Sequence, residues 1–139
     1  MATDVGLTAR AEFGDTMNIL VTGANGQLGT ELRNVTAGSR NNYIFSDVTS
    51  LPGVETLNLD ITNIDAVRIV CDSEKVDVIV NCAAYTNVDK AEDEPSMAML
   101  LNCTAAGNLA KVAAERDAAL IHISTDYIFH GDIPMPCKE

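Results

Sequence analysis

Three glycines, Gly23, Gly26 and Gly29, stand at a spacing of three behind the apolar run Ile19-Leu20-Val21 and ahead of a helical pattern. This is the geometry of a dinucleotide site. Gly23 can make the tight turn out of a strand, Gly26 can let backbone approach a pyrophosphate, and Gly29 can let the new helix pack close against a sheet. The helix start then offers free N–H groups and a partial positive charge to phosphates. Chance glycines in a strand–turn–helix are the plain alternative, and context decides between the two.

Other residues could complete such a site. Asp47 lies 18 residues past Gly29, near the end of a second apolar run. There a carboxylate can accept from an adenosine ribose 2′-OH, and it would repel a 2′-phosphate, which leans toward NAD over NADP. It can equally be a turn aspartate. Asp60 can reach an adenine edge, or simply precede a helix. Asn81–Thr86 closes another apolar run; the small Ala83 and Ala84 leave room for a flat ligand or for close packing, and Tyr85 and Thr86 can contact a ribose or a substrate. Asn102 interrupts an apolar helical surface and points either to the site or to solvent. In Ser124-Thr125-Asp126 a hydroxyl can donate to a reacting carbonyl, or serve as a cap or turn. His122 alternates with Ile121 and Ile123 and reads as a core histidine. The acidic run Asp89–Glu94 reads as a solvated face, and no metal-ligand spacing is found in it or around His122 and His130.

The elements that must position these residues follow from hydrophobic patterning. Strands are expected at Met17–Thr22, Asn42–Ser46, Val54–Leu59, Val76–Val80 and Ala119–Ser124. Helices are expected at Gln27–Val35 (inward stripe Leu28, Leu32, Val35), at Ile64–Ser73 (Ile64, Val67, Val70, Cys71), and from Pro95 to about Arg116. The face of that last helix reads as Met99, Leu100, Cys103, Ala106, Leu109, Ala110 and Ala113. Apolar strands linked mostly by helical crossovers imply an α/β fold, a doubly wound parallel sheet of Rossmann-like type. The expected strand order is 3-2-1-4-5, with the ligand crevice between the carboxyl ends of the first and fourth strands. Residues 1–16 lack periodicity and the long apolar core of a signal peptide, and are set aside as an extension. Residues 17–139 read as one dinucleotide-binding domain.

The 139 residues carry a net charge of −11, which argues against nucleic acid but not against a small anion held by backbone amides. No apolar run approaches the roughly 18 residues of a membrane span. Cys71, Cys82, Cys103 and Cys137 form no CxxC pair and are expected as buried free thiols, which favours a reducing cytoplasm.

Thr22-Gly23-Ala24-Asn25-Gly26-Gln27-Leu28-Gly29 resembles the TGxxGxxG element of extended short-chain dehydrogenases/reductases. Two longer segments, Asn81-Cys82-Ala83-Ala84-Tyr85-Thr86-Asn87-Val88-Asp89-Lys90-Ala91-Glu92 and Ser124-Thr125-Asp126-Tyr127-Ile128-Phe129, narrow the likeness to the dTDP-4-dehydrorhamnose reductase family. The match runs from Met17 to about Gly131. The resemblance implies hydride transfer from NADPH or NADH to the C4 ketone of a dTDP-sugar, giving dTDP-L-rhamnose. It implies cofactor contacts from Gly23, Gly26, Gln27, Leu28, Gly29, Asp60, Ile61, Ala83, Ala84 and Tyr85; Asn25, Asp47 and Asn102 are counted with them from their places in the sequence. It implies Thr125 as the active-site hydroxyl and Val88 near the substrate; Thr86 and Asp126 are counted with Val88 from their places at strand ends, with no metal assigned.

The sequence departs from the family at Cys82, where a smaller residue is usual, and at His130. The larger departure concerns the proton donor, a tyrosine four residues before a lysine in the superfamily. Here Tyr43, Tyr85 and Tyr127 are followed four residues on by Asp47, Asp89 and Gly131. In the family that element and the substrate-binding half come later, so the chain resembles an amino-terminal, cofactor-binding portion, a sheet truncated to about five strands. It is expected to bind dinucleotide without catalysis, and to self-associate through an unpaired fifth-strand edge, as a homodimer for example. A sugar-nucleotide epimerase or dehydratase, or a non-catalytic regulatory subunit on the same fold, are the competing readings.

Overall fold

A computed structural model of the protein describes residues 16–125. Five strands form one sheet: β1 (Asn18–Thr22), β2 (Asn42–Asp47), β3 (Leu57–Asn58), β4 (Val78–Asn81) and β5 (Ala119–His122). Every pairing is parallel and the spatial order is β3-β2-β1-β4-β5. This is the expected doubly wound α/β sheet, and its order reverses between β1 and β4. Loops leaving the carboxyl ends of those two strands diverge to opposite faces, which opens a crevice there.

Helices cover both faces, which is why β1 and β4 tolerate continuous apolar runs. They are α1 (Gln27–Thr36), α2 (Ile64–Ser73), α3 (Val88–Asp93), α4 (Pro95–Met99) and α5 (Ala106–Glu115), with a π-helical turn, Leu100–Ala105, joining the last two. On one face Leu20 and Ile79 pack with Leu59, Ile61, Val67, Cys71, Leu109 and Val112. On the other, Ile19, Val21 and Ala24 pack with Leu32, Tyr43, Phe45 and Val80. The Asn63 side chain caps α2 by accepting from Ala66 N at 3.1 Å, and Asn87 caps α3 by accepting from Lys90 N at 3.0 Å. Pro95 opens α4, where its missing N–H costs nothing. No helix among the described residues is long and apolar enough to cross a membrane.

Several local expectations are corrected. β3 is only Leu57–Asn58, not Val54–Leu59, and the preceding Glu55 and Thr56 are bonded to Arg33 of α1 instead of to β2. Its guanidinium donates to Glu55 O at 2.9 Å and to Thr56 Oγ1 at 3.0 Å while resting 4.3 Å over the Phe45 ring. β5 stops at His122 rather than Ser124. Val88–Asp93, read from sequence only as a solvated acidic stretch, is helical, and it is indeed largely exposed. Leu28 and Val35 face outward, so α1 approaches the sheet through Gly29 and Leu32 instead. In the long helical segment Met99, Leu100 and Cys103 are exposed, and the buried positions are Ala105, Leu109, Val112 and Ala113. The side chain of Asn102 is fastened to the loop after β4, which fixes the rotation of that segment and turns the three apolar neighbours outward. The expectation of buried thiols therefore fails for Cys103 and holds for Cys71, with Cys82 half-buried; all three are free. Cys137 lies outside the described residues. His122 is not a core histidine but an exposed one at the strand end.

Candidate functional site

The turn out of β1 is built so that backbone meets backbone. Gly23 has φ +66°, and a Cβ there would lie 2.5 Å from Ala83 N and 2.6 Å from Ala83 Cα. No side chain fits that approach. At Gly29 a Cβ would lie 2.5 Å from Ala24 Cα and 2.6 Å from Gly23 O, so α1 sits directly on the turn. A Cβ at Gly26 would approach only Gly23 O, at 3.3 Å. Gly26 is also the N-cap of α1, no side chain caps it, and the first turn carries no acidic residue. The positive end of α1 is thus left uncompensated by its own residues.

Between the carboxyl ends of β1 and β4 lies a crevice of about 210 Å³. Its walls include seven residues picked out from the sequence: Gly23, Gly26, Asp47, Asp60, Ile61, Ala83 and Ala84. Val48, Leu59, Cys82 and Leu101 complete it and were not anticipated. Leu59 and Cys82 adjoin residues that were, whereas Leu101 gave no signal beyond being apolar. A larger hollow of about 580 Å³ lies beside the amino-terminal half of β2, lined by Arg33, Tyr43, Phe45, Glu55 and Glu74 among others. It adjoins neither the glycine turn nor the end of β4, so the smaller crevice is the candidate site.

Asp47 closes the crevice on the β2 side. Its Oδ2 accepts from Asn25 N at 3.1 Å, and its Oδ1 accepts from Thr49 N at 2.9 Å and Thr49 Oγ1 at 2.8 Å. Burial pushes its carboxyl up, but the N–H groups of Thr49, Asn25 and Val48 and the Thr49 hydroxyl outweigh that and hold it below the ordinary carboxylate range. Asn25 is spent on the same loop. Its Nδ2 donates to Thr49 O at 2.7 Å, and its Oδ1 accepts from Thr56 Oγ1 at 3.2 Å and Arg33 at 3.4 Å. Asp60 Oδ1 accepts from Thr62 N and Thr62 Oγ1, which holds the turn before α2.

On the β4 side the organising residue is Asn81, which is fully buried and was not picked out for this role. Its Oδ1 accepts from Thr22 Oγ1 at 2.6 Å and from Ala83 N at 3.1 Å, while its Nδ2 lies 3.0 Å from His122 Nδ1. The signal for it is a polar residue ending an otherwise apolar strand. Asn102 grips the next loop from both sides: its Oδ1 accepts from Tyr85 N at 2.7 Å and its Nδ2 donates to Tyr85 O at 3.0 Å. The Tyr85 phenol donates to Glu94 Oε2 at 2.8 Å, and Glu94 pairs with Lys90 at 3.4 Å. Desolvation and the adjacent Glu94 carboxylate push the Tyr85 phenol up, so it stays protonated and is committed to Glu94. Burial likewise pushes the Cys82 thiol up, leaving a neutral thiol at the crevice wall. Gln27 and Leu28 are exposed at the start of α1, and Thr86 and Val88 are exposed beyond Ala84. Thr125 is exposed, three residues past the end of β5. Asp126 lies outside the described residues. No cluster of metal-ligating side chains occurs among the described residues.

Comparison with known proteins gives a consistent result. The family model described as "RmlD substrate binding domain" matches residues 17–139. A dTDP-4-dehydrorhamnose reductase of Escherichia coli K12 is 44% identical over 123 residues, covering 88% of this chain and 40% of that protein. Among solved structures, a dTDP-4-dehydrorhamnose reductase from Clostridium acetobutylicum superposes with a TM-score of 0.78 at 40% identity, over 87% of this chain and 40% of the other. One from Bacillus anthracis, in complex with NADP, gives a TM-score of 0.74 at 35% identity, over 88% of this chain and 41% of the other. The chain thus spans about two-fifths of the length of these relatives.

The bonds to Asp47 favour its charged form, so its folded pKa lies below its unfolded value of about 4. Their stabilisation is complete above that unfolded value and is lost as pH falls through the folded one. Asp47→Asn should therefore melt below the wild type at neutral pH, and the gap should close as the pH drops below about 4. Thermal melts across that range check it, and a gap independent of pH would contradict it.

Proposed function

We infer the function from one premise: the chain belongs to the RmlD substrate binding domain family. On that premise it is the cofactor-binding part of a dTDP-4-dehydrorhamnose reductase, which transfers hydride from NADPH or NADH to the C4 ketone of dTDP-4-dehydro-L-rhamnose to give dTDP-L-rhamnose. The observation that carries this reading is the crevice at the switch point, where the glycine turn and an uncapped helix start face Asp60, Ile61, Ala83 and Ala84. A dinucleotide fits this lining. A Cβ at position 26 would stand on the open side of the turn, and the surrounding residues leave the pyrophosphate to backbone amides. Reductase names among the relatives favour this over an epimerase, a dehydratase or a regulatory subunit.

The roles divide by place. Gly23, Gly26 and Gly29, with the amides of Gln27 and Leu28, hold the pyrophosphate. Asp60 and Ile61 border the adenine, and Ala83, Ala84 and Tyr85 line the remaining cleft. The bound dinucleotide supplies the hydride. Thr125 donates a hydrogen bond to the ketone oxygen as negative charge develops there, and Thr86, Val88 and Asp126 meet the sugar nucleotide. Asp47 disfavours a 2′-phosphate by its charge. Its oxygens are already bonded to Asn25 and Thr49, which softens that repulsion, and the Bacillus anthracis relative is a complex with NADP. Both cofactors therefore belong to the proposal. Tyr85 does not deliver the proton, because its hydroxyl is engaged by Glu94 and no lysine follows four residues on. The free thiols support a reducing, cytoplasmic setting.

The 139-residue chain is expected to bind NADPH and NADH in a fluorescence titration. Gly26→Val should weaken binding about ten- to hundredfold by blocking backbone approach. Added dTDP-4-dehydro-L-rhamnose should leave the NADPH unoxidised. A folded chain that binds neither dinucleotide contradicts the cofactor assignment, and steady NADPH consumption contradicts the missing proton donor.

The same proposal includes self-association. Among the described residues β5 pairs only with β4, and Ile121 and Ile123 are about half exposed beside its open edge. Ala119–Thr125 carries neither lysine nor proline to discourage pairing. Sedimentation should show a dimer growing with concentration, and a monomer throughout would count against it.

A further inference from the structure

The geometry points to Asn108 as a positioning residue for the adenine side of the crevice. This rests on the cofactor reading above and extends it to a residue outside the crevice. Asn108 lies in α5, half-buried, and its Nδ2 donates to two successive carbonyls, Thr62 O at 3.2 Å and Ile61 O at 3.4 Å. Those carbonyls belong to the short turn between Leu59 and the Asn63 cap of α2. The turn has alternating duties. Leu59 and Ile61 are buried in the core, while Asp60 is exposed and stands at the crevice wall. Asp60 is held internally by Thr62, and Asn63 N donates to Asp60 O at 3.1 Å. These local bonds shape the turn but do not attach its Asp60–Asn63 part to the rest of the fold.

Leu59 N donates to Asp47 O at 3.1 Å and holds the start of the turn to β2. Beyond Asp60, attachment comes from two sources. Ile61 packs in the same cluster as Ala105 and Leu109 of the long helical segment. Apolar packing fixes depth but is non-directional. The Asn108 amide is directional, and it prevents the two carbonyls from rotating with the wall they carry. The same helical segment also places Leu101 in the crevice and Asn102 on Tyr85. Asn108 therefore ties the adenine wall to the helical segment that also grips the opposite wall through Asn102.

The test uses the chain as it exists, with Asn108→Ala and Asn108→Gln. Alanine is the better helix former, so a loss on Asn108→Ala does not reflect a weakened α5. Two quantities are read: dissociation constants for ADP and NADPH by calorimetry, and hydrogen exchange of the Ile61–Asn63 amides against those of Leu20 and Ile79. Asn108→Ala is expected to weaken ADP and NADPH alike, about three- to tenfold. It should speed exchange at Ile61–Asn63 while leaving Leu20 and Ile79 unchanged. Asn108→Gln, which keeps the amide donor, should recover most of the affinity. Wild-type affinity and exchange in Asn108→Ala would overturn the proposal, as would faster exchange throughout β1 and β4. Failure of the wild-type chain to bind either nucleotide would instead strike the cofactor reading, and the exchange measurement, which needs no ligand, separates the two.

Discussion

The buried amide of Asn81 joins three parallel strands and the loop that leaves one of them. Thr22, Asn81 and His122 are register partners across β1, β4 and β5, so their side chains meet in one row at the carboxyl edge of the sheet. The Ala83 N–H can only donate, and it points at Oδ1, which already accepts from Thr22. Nδ2 must then face His122, whose Nδ1 is left as the acceptor. Each group of the amide has a partner, as burial demands. With Ala83 held this way, its backbone stands against the turn of β1 at a distance that admits only glycine at position 23. The crevice inherits its shape from that chain of contacts.

The chemistry of the crevice follows from what the side chains there do not do. Its charged residues are Asp47 and Asp60, both acidic, in a chain of net charge −11. An anionic ligand gains nothing from them. Attraction has to come from oriented backbone N–H groups and the start of α1, which act over a few ångströms. Asp47 strengthens this arrangement by accepting from Asn25 N and Thr49, so its charge is turned into the loop. Under the proposed function, such a site suits the pyrophosphate of a dinucleotide better than an extended polyanion.

Much of this was legible in the sequence. β1 and β4 are buried on both faces, so continuous apolar runs marked them. The spacing of Gly23, Gly26 and Gly29 marked the turn, and strand order followed from helical crossovers. What stayed hidden was decided by hydrogen bonds between distant residues. Arg33 bonds Glu55 and Thr56, which precede the short β3, and a sequence pattern of apolar residues at 54–59 carries no trace of that tether. Asn102 fixes the phase of the long helical segment, so Met99, Leu100 and Cys103 turn outward although their composition suggested a core face. His122 sits between two isoleucines, yet among the described residues β5 pairs only with β4, and all three side chains are exposed there. Nothing in the helical pattern marks Asn108, whose bonds to Ile61 O and Thr62 O span 47 and 46 residues of sequence.

The central claim is that a dinucleotide enters the crevice between β1 and β4 and not the larger hollow beside β2. Mapping amide chemical shifts by NMR during an NADPH titration tests it most directly. The account predicts the main changes at Gly23, Gly26, Ile61 and Ala83. Changes centred on Arg33, Tyr43, Phe45 and Glu55, with the glycine turn unmoved, would contradict it.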